Sequence, residues 1–502
     1  MAMKAVFDRQ NQTAGFIALC ALVLVLNLLL VWDLRIGVLL LVLSLGALLG
    51  LLALFSKRRR LTQVFLASTL WLGFFHEPFT SSNLVFWGQE AIIAGLMGVM
   101  LLRGGTGRRT RIGIAFIVLI SIALITLVGT ISRESILLYL NGLRRISAAP
   151  MMFVLAQYLA HERSGETVFR ILVWTLVLQL PCSLVVGWIS AGSVSTLPGA
   201  DFLTGTFGKG GSGFMVIFIS AVLCIVVWQF ANRRTSLSTV VFATSSFLVL
   251  GAISDLKFLW VILPFGLLAT FWIVLIEKWG RVRWKNALMA LVGVVLVCVA
   301  LKFVISLSSE RHHGGELSLA SLFEVDFLKT VLFIDSGGVY RSVDGEYKFT
   351  RYGALVYAWD YLSHNRLMMM GHGLGSTTEG ILGETTLGKK IGIGQLDVST
   401  ISLLLFEVGV VGTFLYLTPF LVITVMAFLR LLRRQGRGGD LELLSGILAL
   451  YGLFILLSLG YNGFAIVPRG GGVFWFIAGL WLVALGKPRY RLNRRLLIPV
   501  SK

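Results

Sequence analysis

Charge is scarce in this sequence. Only 14% of its 502 residues are Asp, Glu, Lys or Arg, against about 25% in a typical soluble domain. Period-two alternation is missing too. The apolar runs are continuous and recur from end to end, at the ~18 or more residues a helix needs to cross a bilayer, which argues against a membrane β-barrel. The four cysteines, Cys20, Cys182, Cys224 and Cys298, all lie inside apolar runs. There they act as small apolar side chains, and neither a disulfide nor a metal centre is expected of them. Lys4 and Arg9 precede the first run, but no small-residue cleavage site follows it, so it reads as a retained first helix. No internal repeat is evident, which speaks against a transporter built from inverted halves. No Walker or dinucleotide pattern accompanies the glycine-rich stretches, and no acidic pair or His/Cys cluster has metal-ligand spacing.

What remains is an all-α polytopic membrane protein. Hydropathy predicts about 14 spans, at 14–32, 36–56, 61–75, 84–102, 112–131, 143–160, 167–190, 214–231, 237–253, 258–276, 286–306, 398–429, 441–459 and 472–486. The formal net charge of +20 invites a nucleic-acid partner. The basic residues, however, fall in short clusters between spans: Lys57–Arg60, Arg103–Arg111, Arg233–Arg234, Lys278–Lys285, Arg430–Arg437 and Lys487–Lys502. That is the positive-inside pattern, and it predicts both termini in the cytoplasm. The expected layout is one integral domain: helices 1–11 over 1–306, a large periplasmic loop over 307–397, and helices 12–14 with a cytoplasmic tail over 398–502.

The long polar segment from Ser308 to Asp397 holds most of the non-membrane chemistry. Residues 316–333 form an amphipathic stretch suited to the membrane surface. Residues 349–370 read as a helix on which Arg351 shares a face with Leu355, Ala358 and Leu362, and a cation on an apolar face needs a partner. Cations that positive-inside does not explain gather on the outer side: Arg144 and Arg145 at the outer end of the sixth span, Lys209 in Gly205-Thr-Phe-Gly-Lys-Gly-Gly-Ser212, Lys257 in Ser254-Asp-Leu-Lys257, Arg341, Arg351 and Arg366 in the loop, and Arg469. Converging cations at headgroup depth suit a phosphate or pyrophosphate ligand. The outer-side candidates for acid–base work are His312, His313, His364, His372, Glu379, Glu384 and Asp397.

Arg351 and its aromatic-rich helix, then Gly371-His-Gly-Leu-Gly375, then Asp397-Val-Ser-Thr-Ile-Ser-Leu-Leu-Leu-Phe-Glu-Val-Gly-Val-Val-Gly412, together resemble the O-antigen ligase/polymerase superfamily. The resemblance covers roughly residues 130–480 in layout. It implies a GT-C-like membrane glycosyltransferase of the bacterial inner membrane that uses undecaprenyl-pyrophosphate-linked glycans. Ligases of that family usually carry His-Asn before the Glu-x-Gly span. Asp397-Val398-Ser399 stands there in this chain, and an aspartate at that place is more like the Wzy-type polymerases.

The resemblance therefore implies polymerisation of undecaprenyl-pyrophosphate-linked repeat units into a surface polysaccharide or exopolysaccharide. The transfer would be inverting, metal-independent and free of any cofactor. Arg144, Arg145, Lys209, Lys257, Arg341 and Arg351 would hold the donor pyrophosphate, and Asp397 or His372 would act as base or orient the acceptor. The expected partners are the lipid-linked donor and acceptor and the membrane lipids, with the protein acting alone or with a chain-length regulator, and no nucleic acid. The alternatives are ligation of a finished glycan to a lipid or protein acceptor, and flipping of a lipid-linked oligosaccharide. A flippase should carry charge deep within its spans, whereas here the midspans are nearly free of it, with Glu90 and Lys302 as exceptions.

Overall fold

A computed structural model describes residues 58–71, 92–93, 95–97, 125, 136–191, 205–207, 212–253, 257–277, 339–341, 347–349, 351–377, 399–432 and 439–486. In chain order these form helices α1 (Arg58–Trp71), α2 (Ile136–Leu159), α3 (Ser164–Ala191), α4 (Ser212–Ala231), α5 (Leu237–Ile253) and α6 (Lys257–Glu277). A hairpin of β1 (Val339–Arg341) and β2 (Tyr347–Phe349) follows, then α7 (Arg351–His364), α8 (Thr400–Leu432), α9 (Asp440–Ser458) and α10 (Val473–Gly486).

Ser164–Val185, Gly213–Ala231, Thr400–Leu432, Asp440–Ser458 and Pro468–Gly486 are long and apolar enough to cross a membrane, as in a multi-pass membrane protein. The expected spans at 61–75, 143–160, 167–190, 214–231, 237–253, 258–276, 398–429, 441–459 and 472–486 each coincide with a helix. Those at 14–32, 36–56 and 286–306, most of 84–102 and 112–131, and the amphipathic stretch 316–333 lie outside the described residues. The hairpin pairs Val339 with Phe349 and Arg341 with Tyr347. Hydropathy did not foresee it, because three-residue strands are too short to show alternation.

Small residues set the helix packing. A Cβ on Gly479 of α10 would stand 2.3 Å from the Phe153 carbonyl of α2, and one on Gly446 of α9 would stand 2.0 Å from Trp228 of α4. Close backbone approach of this kind replaces hydrophobic exclusion where lipid is the solvent. Buried polar side chains find partners across helices. Trp481 Nε1 donates to Ser445 Oγ at 2.9 Å. Gln179 Nε2 donates to Thr206 Oγ1 at 2.6 Å, and the Thr206 amide donates back to Gln179 Oε1 at 2.9 Å.

One end of the bundle is tied by ionic and capping contacts. Asp440 Oδ1 accepts from the Gly165 amide at 2.7 Å, capping α3 from the start of α9, and Arg234 pairs with Glu442 at 2.9 Å. The other end gathers the first turns of α2, α4 and α8, the turn between α9 and α10, and the segment after α7. At 1.5 Å per residue, the 20-residue α4 separates the two ends by about 30 Å.

Candidate functional site

The segment after α7 is spliced into α8. In an unbroken helix the amides of Val410 and Val411 would bond the carbonyls of Phe406 and Glu407. Instead they donate to the Met368 and Met369 carbonyls at 2.9 and 3.3 Å. The Phe406 and Glu407 carbonyls accept from the amides of His372 and Gly373 at 2.6 and 3.0 Å. The break falls at Gly409, with φ 64° and ψ −168°, a conformation open to glycine. Gly371 (φ 72°) has no room for a side chain either, since a Cβ there would stand 2.5 Å from the Gly409 nitrogen. The glycine run then crosses to α2, where Gly142 and Gly375 meet so closely that a Cβ on Gly142 would lie 2.3 Å from the Gly375 nitrogen.

Two titratable side chains sit at this junction. Glu407 is wholly buried, and its Oε1 accepts a hydrogen bond from Thr377 Oγ1 at 2.7 Å. Ser376 is buried beside it, its hydroxyl without a partner among the described residues. His372 is half-buried, and its ring lies 6.1 Å from that of Tyr361. Tyr361 stacks on Tyr357, and both rings lie against Phe406. Burial, and then the neighbouring Tyr361, push the Tyr357 hydroxyl above its ordinary pKa.

Arg144 and Arg145 follow Gly142 after one residue, Leu143, and both are half-buried. Arg145 is within electrostatic reach of the Tyr416 hydroxyl, which donates to the Ala465 carbonyl at 3.2 Å. The sequence placed this pair at the outer end of a span beginning at 143. The helix begins at Ile136, so the pair lies two turns inside it. Asn141 and Gly142, which precede the expected span, are helical too, and the missing Cβ of Gly142 makes room for Gly375.

The remaining candidates divide between placed backbone and undescribed residues. Arg351 opens α7, Lys257 opens α6 and Arg341 closes β1. Ala354, Ala358 and Leu362 of α7 are buried against Leu405 and Phe406, with Leu355 partly buried beside them, so the apolar residues of the predicted face pack on α8, while the Arg351 side chain lies outside the described residues. The helix expected over 349–370 stops at His364, because Arg366 adopts φ 57°, which ends a right-handed helix. His364 Nδ1 contacts the Asp360 carbonyl on the exposed side. Lys209, Asp397, His312, His313, Glu379 and Glu384 lie outside the described residues. The structure thus brings His372 to the junction with Glu407, on a loop that touches α2 just before Arg144 and Arg145.

No protein-family model and no curated protein matches the chain.

Sequence reasoning passed over Asn462 altogether and gave Glu407 and Arg469 no specific role. Glu407 was visible only as part of Glu-Val-Gly-Val-Val-Gly. The usable signal was the acid itself, since a carboxylate inside an apolar run needs hydrogen-bond donors.

Proposed function

We propose that this chain is a membrane glycosyltransferase. It polymerises undecaprenyl-pyrophosphate-linked oligosaccharide repeat units at the outer face of the bacterial inner membrane, within a 14-span layout whose large loop is periplasmic. The donor pyrophosphate is held by Arg144 and Arg145 with Lys209, Lys257, Arg341 and Arg351. His372 or Asp397 takes the proton of the acceptor hydroxyl as the new glycosidic bond forms and the pyrophosphate departs with the bonding electrons. The cations balance the charge that develops on that leaving group, and such stabilisation is commonly the largest single catalytic term.

The observation that carries this reading is the splice. It anchors an otherwise long outer segment by four backbone hydrogen bonds at one end of an apolar bundle, holding His372 by its amide to the Phe406 carbonyl, next in sequence to the buried Glu407 of α8, on a loop that reaches the arginine-bearing helix. Glu407 is the eighth residue of α8, about 10 Å from its first residue at 1.5 Å per residue. The one wholly buried acid among the described residues therefore lies near the mouth of the bundle, which favours an enzyme over a flippase.

The test is reconstitution. Purified protein in liposomes is given a lipid-linked repeat unit without nucleotide or added metal, beside Arg351→Ala, and the products are separated on a gel. A ladder lost in the variant supports a polymerase. A single transfer to another acceptor without a ladder favours the ligase alternative. Movement of intact lipid across the bilayer with no new glycosidic bond sinks the enzyme.

A further inference from the structure

We infer that the first turn of α4 and the turn between α9 and α10 form a binding site for a phosphate group, with Asn462 and Arg469 as its side-chain donors. This deepens the glycosyl-transfer reading and rests on it for the identity of the anion. Binding itself is measured apart from catalysis.

The argument starts at α4. The first amides of any helix have no intrahelical acceptor, and with the helix dipole they make a place for an anion. No backbone carbonyl among the described residues accepts from the amides of Gly213 or Phe214. A helix start alone would mean little, but Asn462 is aimed at it. Asn462 is 9% exposed, and its Nδ2 is buried without a hydrogen-bond partner among the described residues. Its orientation is fixed from the other side, because Oδ1 accepts from the Phe464 amide at 3.0 Å, which leaves the NH2 group turned toward α4. A Cβ on Gly213 would stand 2.9 Å from Nδ2. The glycine keeps that approach open, and nothing in helix propensity calls for it.

Arg469 supplies the charge. It is 6% exposed, and its guanidinium lies 5.9 Å from the ring centroid of Phe214, the third residue of α4. The turn that carries it, Pro468–Gly472, folds so tightly that a Cβ on Gly470 would stand 2.1 Å from the Phe464 carbonyl. Asn462 is fixed through its backbone as well, since its carbonyl accepts from the amide and hydroxyl of Thr400 at 3.0 and 2.8 Å. This ties the site to the start of α8, three residues after Asp397. Helix amides, an amide NH2 and a guanidinium together match the oxygens of a phosphate.

The experiment is calorimetric titration of the full chain in lipid nanodiscs with two probes, inorganic pyrophosphate and a polyprenyl diphosphate. Asn462→Asp keeps the Phe464 contact and turns the donor into an acceptor. Gly213→Ala fills the approach with a residue that favours helix. Each is expected to weaken binding at least tenfold with little change in thermal midpoint, and Arg469→Gln gives a further comparison. Parallel loss of both probes supports a site for the phosphate group itself. Loss confined to the polyprenyl diphosphate supports the site and assigns its source to a lipid headgroup. Unchanged binding of both probes by folded Asn462→Asp and Gly213→Ala overturns the inference. A wild-type protein that binds pyrophosphate through these residues but extends no glycan would sink the polymerase and leave the site standing.

Discussion

Thr377 donates its hydroxyl hydrogen to Oε1 of Glu407 at 2.7 Å, joining the end of the glycine-rich loop to the interior of α8. Removing a donor from a buried acceptor costs about 1–3 kcal/mol. Thr377→Val, which keeps the side-chain shape, is therefore expected to lower stability by about that amount. Thermal unfolding in detergent, with Thr377→Ser as the conservative comparison, measures it.

The splice makes a sharper prediction at its glycines. A side chain on Gly371 or Gly409 would face both a positive φ and backbone atoms 2.5 Å away. Strain and displacement together should cost more than about 3 kcal/mol at either position. A Cβ on Gly460 meets nothing within 4 Å, so Gly460→Ala should stay within about 0.5 kcal/mol of wild type. Yield and thermal midpoint of the three alanine variants decide it.

Activity should separate the two groups of arginines. Under the proposed reaction, Arg144→Ala and Arg145→Ala each lower the rate of glycan extension by about a hundredfold or more, the scale of losing a group that stabilises developing charge. Arg170 pairs with Glu166 one turn away on an exposed face, and such pairs contribute little. Arg170→Ala should extend glycan at the wild-type rate in the same assay.

A pH dependence follows from Tyr357. Burial raises its hydroxyl above the ordinary value of 10.0, so the folded protein holds this proton more tightly than the unfolded chain. The resulting stability is fully present below about pH 10 and is lost as pH rises through the higher folded value. Denaturation followed between pH 9 and 11 should show a decline that is shallower in Tyr357→Phe, and phenolate absorbance of the two proteins should differ over the same range.

Most of the described helices were legible in the sequence because lipid imposes long, continuous apolar runs, and hydropathy reads these directly. The positions of α3, α4, α5, α6, α9 and α10 follow from it to within a few residues. The site was legible only in part. Gly371-His-Gly-Leu-Gly375 announced a close backbone approach, but not that the partner would be the broken turn at Gly409, because a helix with Val-Gly-Val-Val-Gly in it reads as continuous. Arg144 and Arg145 were read as cations at the end of a helix, since local hydropathy cannot see Gly375 packing on Gly142. Asn462 gave no signal, because the burial that defines it depends on α4, far away in sequence.

The splice also has a conformational consequence. The four groups of α8 that bond the loop are the amides of Val410 and Val411 and the carbonyls of Phe406 and Glu407, which are the pairs that would satisfy one another if the helix were continuous. Withdrawal of the loop therefore need not strand polar groups of α8 in an apolar setting. Gly409 can rotate into the helical region without steric penalty, and the helix can heal behind the departing strand. A loop released with the helix whole would leave these four groups of α8 hydrogen-bonded, as they are with the loop seated and the helix broken. Movement of His372 would then be coupled to the straightness of a helix 33 residues long.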